Sequence, residues 1–174
     1  MECKEETMEN KIILQNGSGA FLRNGNRYLL MKRSPDRIFA PNKWSCIGGK
    51  FIEEELNDPL KACYREIKEE TGIKKEHISY LKLRYIIIRR AENIIRQNYL
   101  YFGETDIIEF KNTKEGSLHW IEEENLIEKE FTETFKEMIK HFLENKSNDK
   151  IIVGVAGKDK NRLKMEWNVL EDFE

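Results

Sequence analysis

Apolar clusters over residues 11–23 and 27–33, Ile12-Ile13-Leu14, Ala20-Phe21-Leu22 and Tyr28–Met31 among them, predict two strands. Asn24-Gly25-Asn26 between them is loop chemistry suited to a β-hairpin. Residues 34–43 hold two prolines and predict a loop, after which a short strand over Trp44–Ile47 runs into Gly48-Gly49. The spacing then becomes helical. Leu60, Cys63 and Ile67 form one stripe, opened by Asp58 as N-cap with Pro59 at the first helical position and closed by Gly72. Strand patterns return over 77–90 and 95–103, with Arg89 to Arg96 as the predicted turn. Leu118–Ile121 predicts another short strand before the acidic Glu122-Glu123-Glu124. Residues 131–143 predict an amphipathic helix with Phe131, Phe135, Met138, Phe142 and Leu143 on or near one face. The tail carries a strand-like IIVGVAG and a hairpin partner, LKMEWNVL, to which the sequence assigns only packing. Strands and helices interleave without the regular beat of a doubly wound sheet, so the expected class is α+β, a mixed sheet packed between helices.

No repeat, low-complexity tract or Pro/Gly-rich linker interrupts residues 11–174, which predicts a single domain. Residues 1–10 are charged and acid-rich, unlike a signal or transit peptide, and predict a disordered, frayed terminus. Thirty basic against 32 acidic residues give a net charge of -2, without a polybasic track for a nucleic acid polymer or an anionic membrane. The longest apolar run, Ile86-Ile87-Ile88, is far too short to span a bilayer. Cys3, Cys46 and Cys63 show no CxxC spacing and cannot all pair, which points to a reduced, cytoplasmic setting with Cys46 and Cys63 as core residues. His77, His119 and His141 are too scattered for a zinc triad.

The informative stretch is 48–73, GGKFIEEELNDPLKACYREIKEETGI. On a helix Glu66 and Glu70 share a face, with Glu69 beside them, and like charges at this spacing cost roughly 0.2–0.5 kcal/mol per pair when exposed. A divalent cation removes that repulsion, and carboxylate oxygens are the hard ligands Mg²⁺ prefers. Arg65 is placed to orient a carboxylate by a two-pronged hydrogen bond. The double glycine upstream lets the backbone approach the helix closely. A run such as REIKEE taken alone is an ordinary solvated helix face.

Taken together, these residues resemble the Nudix signature: glycine, five residues, glutamate, seven residues, then R-E-U-x-E-E-x-G-U, where U is a bulky aliphatic. Arg65-Glu66-Ile67-Lys68-Glu69-Glu70-Thr71-Gly72-Ile73 matches the second half at every fixed position, and Gly49 and Glu55 match the first two. Nine residues rather than seven then separate Glu55 from Arg65, and counting back from Arg65 puts Asn57 at the glutamate position. This departure is a two-residue insertion ahead of the helix, where Asp58-Pro59 restarts the register, and it leaves the role of Glu55 open. The flanking LLMKRS strand, the Trp44-to-Gly49 approach and the EGSLHW strand extend the resemblance over roughly residues 11–145.

The resemblance implies a Nudix fold, an α/β/α sandwich, and a Mg²⁺- or Mn²⁺-dependent pyrophosphohydrolase. It implies metal held by Glu66, Glu69 and Glu70, with Gly49 in the metal set, and Arg65 as orienting partner. Glu69 is either a further ligand or the base, and Glu115 is a second candidate base or an exposed turn residue. Lys50 and Arg33 are candidates for substrate phosphates or surface charges. Trp44 and Phe39 are candidates for stacking on a base, Trp44 equally for the core. The implied substrate is a nucleoside triphosphate, an oxidised one such as 8-oxo-dGTP included, or another nucleoside diphosphate derivative. A Nudix-fold module that only binds nucleotide, an isoprenoid diphosphate isomerase, and an α+β domain without a metal site are the competing readings. Many such proteins are homodimers, and apolar stretches 83–88 and 151–155 suit either an interface or the core.

Overall fold

A computed structural model of the chain describes residues 11–110 and 113–173, so the expected frayed terminus lies outside the described residues. Its strands are β1 (Ile13–Asn24), β2 (Arg27–Arg33), β3 (Trp44–Ser45), β4 (Ile47–Lys50), β5 (Ile78–Ala91), β6 (Ile94–Thr105), β7 (Gly116–Glu122), β8 (Ile152–Asp159) and β9 (Arg162–Val169). The helices are α1 (Pro59–Thr71) and α2 (Glu133–Glu144). The α1 boundaries follow from local chemistry. The Asp58 carboxylate accepts the Lys61 N–H at 2.9 Å, Pro59 needs no partner for its missing N–H, and Gly72 ends the helix at φ 79°.

All nine strands join one mixed sheet, in the order β3-β2-β1-β6-β5-β8-β9, with β4 also on β1 and β7 also on β2. The first hairpin stays paired only from Leu22–Leu29 to Asn24–Arg27. Beyond that it splays, and β4 pairs with the freed part of β1, from Gly17–Lys50 to Ala20–Ile47. On its other edge β1 runs parallel to β6 from Ile13–Ile94 to Arg23–Glu104. Because successive side chains of a strand point to opposite faces, β1 feeds two cores. Ala20 and Leu22 face α1 and pack with Leu29, Met31, Ile47, Cys63 and Ile67. Phe21 faces α2 and packs with Leu30, Leu100, Phe102, Met138 and Phe142. The result is a mixed sheet between two helices, the α+β Nudix arrangement expected.

Three local expectations are corrected. The region Arg89 to Arg96 is no turn: the strands continue past it, Arg89 pairs with Arg96, and only Glu92-Asn93 turn, with Glu92 at φ 54°. Charged residues at a hairpin tip carry no apolar alternation to betray their pairing. The Trp44–Ile47 segment divides, β3 pairing with β2 and β4 with β1, and Gly48-Gly49 lie inside β4. The second helix begins at Glu133, leaving Phe131 buried ahead of it. No helix among the described residues is long and apolar enough to cross a membrane.

The tail extends the sheet: β8 runs parallel to β5 and β9 forms the outer edge. Trp167 lies 4.6 Å from the ring of His141 on α2 and edge-on to Tyr85 at 5.8 Å. The Tyr85 hydroxyl and His141 Nδ1 share a hydrogen bond of 2.9 Å. Tyr85 and Ile87 are core residues and Leu83 packs against the other core, which answers for half of the 83–88 stretch. Trp167→Ala is expected to lower stability by about 2 kcal/mol, less than a fully buried tryptophan would cost. The shift in urea midpoint measures it, and an unchanged midpoint would mean that the tail does not brace α2.

Candidate active site

The site is assembled where β4 meets the second half of α1. Arg65 is its structural centre. Its Nε and Nη2 donate to Glu55 Oε1 and Oε2 at 2.7 and 2.9 Å, a two-pronged pair with a carboxylate only 1% exposed. Nη2 also donates to the Lys50 carbonyl at 3.1 Å, and Nη1 donates to Glu66 Oε1 at 2.8 Å and Glu69 Oε2 at 2.9 Å. Every N–H of the guanidinium is thereby used. A single 3-10 turn, Glu53–Glu55, brings Glu55 inward, where its Oε2 also accepts the Ile52 N–H. The pattern match at Glu55 is therefore also a structural one. The two extra residues, Leu56 and Asn57, fill the exposed link to the N-cap.

Glu66 and Glu70 are the acids turned toward the sheet. Gly49 faces Glu66 so closely that a Cβ there would lie 2.5 Å from Glu66 Oε1. Gly48, at φ 150°, donates its N–H to Glu70 Oε2 at 2.8 Å. The double glycine thus lets the strand touch both acids. Burial pushes the Glu66 carboxyl above the usual range, against the pull of Arg65. Burial pushes Glu70 up to about 8, against the Gly48 N–H and reinforced by the charges of Glu66 and Glu115. Glu69 is 58% exposed in its side chain and serves as an outer partner of Arg65.

A cavity of about 830 Å³ opens beside these acids on the α2 side of the sheet. Glu66, Gly48, Gly49, Lys50, Glu115, Arg33 and Trp44 all line it, whereas Arg65, Glu69 and Glu70 do not, Glu70 lying behind Gly48. Glu115 pairs with Arg37 at 3.4 Å. Arg33 donates to the Phe39 carbonyl at 3.1 Å, and burial holds its guanidinium below the ordinary value. Trp44 is half-buried against the α2-side core, with the Lys129 ammonium 5.5 Å from its ring. Sequence reasoning looks for base recognition in the early strands, the 34–43 loop and the 89–98 turn, but singles out none of Gln15, Asn98, Arg89 and Arg96, which line the wall. Gln15 and Asn98 fall in stretches read as strand, and Arg89 and Arg96 at the two ends of the predicted turn, where the pattern does not say which side chains share a wall.

The NUDIX domain profile matches residues 14–142, most of the chain. The chain belongs to the NUDIX family. Among solved structures, a MutT protein from Bacillus halodurans superposes with TM-score 0.70 at 20% identity, covering 88% of this chain and 97% of that one. A MutT protein from Methanosarcina mazei Go1 gives 0.67 at 19% identity, covering 79% and 98%. An Ap4A hydrolase from C. elegans gives 0.55 at 18% identity, covering 78% and 98%. No curated protein matches at a significant level. As a NUDIX enzyme this chain is a pyrophosphohydrolase of nucleoside diphosphate derivatives, in a family that generally uses divalent metal ions.

The site makes two stability predictions. The pKa of Glu55 is depressed, first by Arg65, so its contribution is present above the unfolded value of about 4.3. It is lost as pH falls through the folded value. Glu55→Gln is expected to cost about 2 kcal/mol at neutral pH, a deficit that closes in acid in urea titrations. Glu70 has the opposite sign: its raised pKa makes its stabilisation complete below about 4.3 and progressively lost as pH rises toward about 8. In EDTA, wild type should therefore lose stability relative to Glu70→Gln over that window. A constant difference would show that Glu70 is not desolvated.

Proposed function

We propose that this enzyme, acting as a single domain over residues 11–174, cuts the pyrophosphate bond of a nucleoside triphosphate or related nucleoside diphosphate derivative in a metal-dependent reaction. With water added across that bond, a triphosphate gives a nucleoside monophosphate and pyrophosphate, and another derivative gives the monophosphate and the phosphorylated remainder. The observation that carries the reading is the half-buried Glu66 and the buried Glu70, held against Gly48-Gly49, with Glu66 lining a cavity of about 830 Å³, a volume suited to a nucleotide.

The residues fit a hard divalent cation. Glu66 and Glu70 are both raised by burial, and Glu115 adds charge to each, a surplus of negative charge that Mg²⁺ or Mn²⁺ would neutralise. Among the described residues no three acid, histidine or cysteine side chains stand ready as a metal cage, so such an ion would complete its shell with water, backbone and substrate phosphate. Glu66 and Glu70 would hold it beside the Gly49 backbone, with Glu69 at the margin through Arg65. Bound there, the ion would supply charge neutralisation at the phosphoryl oxygens and a more acidic water.

The chain's own residues do the rest. Arg65 fixes the Glu66 carboxylate so that no reorganisation is needed during reaction. Glu115 faces the cavity while Glu69 faces solvent, which favours Glu115 as the proton acceptor. Arg33 and Lys50 border the same opening and suit the phosphate chain, and Trp44 and Phe39 line it as candidates for stacking on the base. The approach PNKWSCIGGK keeps a nucleoside triphosphate, 8-oxo-dGTP included, among the candidates. Cys46 and Cys63 are buried free thiols, in keeping with a reducing, cytoplasmic setting.

The test is release of pyrophosphate or phosphate from canonical, oxidised and sugar-linked nucleotides with Mg²⁺, Mn²⁺ or EDTA. Glu66→Gln, Glu70→Gln and Glu115→Gln are each expected to lower kcat by at least about 100-fold. Turnover in EDTA, or full activity in Glu70→Gln, would overturn the reading.

A further inference from the structure

The cavity has a second charged end that the reading above does not use. Arg89 of β5 and Arg96 of β6 are cross-strand partners, and both point to the α2 face. Neither has a carboxylate partner or a side-chain hydrogen bond among the described residues, and Arg96 Nε is buried without any partner. Burial and the adjacent Arg96 charge hold the Arg89 guanidinium below its ordinary value. The ring of Phe39 lies against both, its centre 5.4 Å from the Arg89 guanidinium, 5.5 Å from that of Arg96 and 5.9 Å from that of Arg33. Phe39 is itself half-exposed, so it covers the pair loosely.

The sheet register fixes where this pair lies relative to the acids. Ser18 pairs with Gly49, Gly17 with Asn98, and Gln15 with Arg96. From Gly49 the Arg96 backbone is thus displaced by about 10 Å along the strands and a similar distance across them. Between the two ends, the cavity wall is formed by Gly17, Asn98 and Gln15, polar groups suited to a nucleoside. A diphosphate at the acids would lay its nucleoside along that wall toward the arginines. Two uncompensated guanidiniums side by side match the fork geometry and double charge of a phosphate monoester. A neutral base edge would leave their repulsion in place.

Resting on the hydrolase reading for the other end of the cavity, we propose that Arg89 and Arg96 form a second anion subsite. It takes a phosphoryl group on the nucleoside end of the substrate, remote from the diphosphate that is cut. The preferred substrates are accordingly nucleoside diphosphate derivatives that carry an additional phosphate beyond the scissile linkage, and plain nucleoside triphosphates are the weaker ones.

The test is calorimetric titration of the full chain in EDTA, so that it is independent of turnover. The probes are adenosine 5′-monophosphate and adenosine 3′,5′-bisphosphate. Wild type should bind the bisphosphate at least tenfold more tightly. Arg89→Gln/Arg96→Gln should abolish that advantage and leave monophosphate binding within twofold, while Arg89→Lys/Arg96→Lys should recover part of it by restoring charge. Glu66→Gln should leave the advantage in place even though hydrolysis is lost, which separates this subsite from the catalytic reading. Equal affinities in wild type would overturn the proposal. So would an equal loss of both ligands in the glutamine variant, because the arginines would then serve the phosphate chain at the acids.

Discussion

The geometry of the site depends on the Arg65 guanidinium. It lies between a buried carboxylate in the loop before α1 and two carboxylates on α1 itself, and it also takes the carbonyl of Lys50 at the end of β4. A lysine could not serve, because one ammonium cannot present a planar fork to Glu55 and reach two more acceptors. The cluster places three acids around one cation, which leaves an excess of negative charge. Glu55 resolves part of that excess by accepting both prongs. Glu69 resolves its share by remaining in solvent. Glu66, which does neither fully, and Glu70, which has only a backbone N–H, carry the remainder.

That distribution explains why the double glycine matters beyond flexibility. Two acids can remain buried beside one another only if something polar reaches them, and β4 does so with its backbone. Gly48 offers an N–H to Glu70, and Gly49 yields the space that any side chain would take from Glu66. The strand is therefore part of the charged cluster, and the pairing of β4 with β1 fixes how far the acids stand from the cavity floor.

What the sequence showed in advance was whatever short-range rules control. The helix from Asp58 to Gly72 has a side-chain cap, a proline and a glycine at the required places, and its boundaries were legible to the residue. The role of Glu55 was not, because the two-residue insertion shifts the count and only three-dimensional closure of the 53–55 turn shows which residue meets Arg65. The length of the β5–β6 hairpin was hidden for a different reason. Arg89, Arg90 and Arg96 near its tip look like loop residues, and their membership of the sheet is set by pairing rather than by propensity. The splitting of the Trp44–Lys50 segment between two partner strands likewise depends on how the first hairpin splays, a non-local event.

The same misreading concealed the second charged end of the cavity, and the two facts share one cause. A functional wall on a sheet breaks the alternation by which strands are recognised, because polar residues occupy the face that would otherwise be apolar. On β1 that face runs Gln15, Gly17, Gly19 and then Phe21, and on β6 it runs Arg96, Asn98, Leu100 and Phe102. Each strand is apolar where it packs against α2 and polar where it borders the cavity. The polar half has no counterpart in the core and is not needed to bury area, so hydrophobic burial does not account for it. A near-neutral chain, with net charge -2, thus holds one acid-rich and one arginine-rich pole within a single cavity. Opposite poles that do not neutralise each other across it are a stability cost that the fold accepts, one that a divalent cation at the acids and a phosphoryl group at the arginines would relieve together.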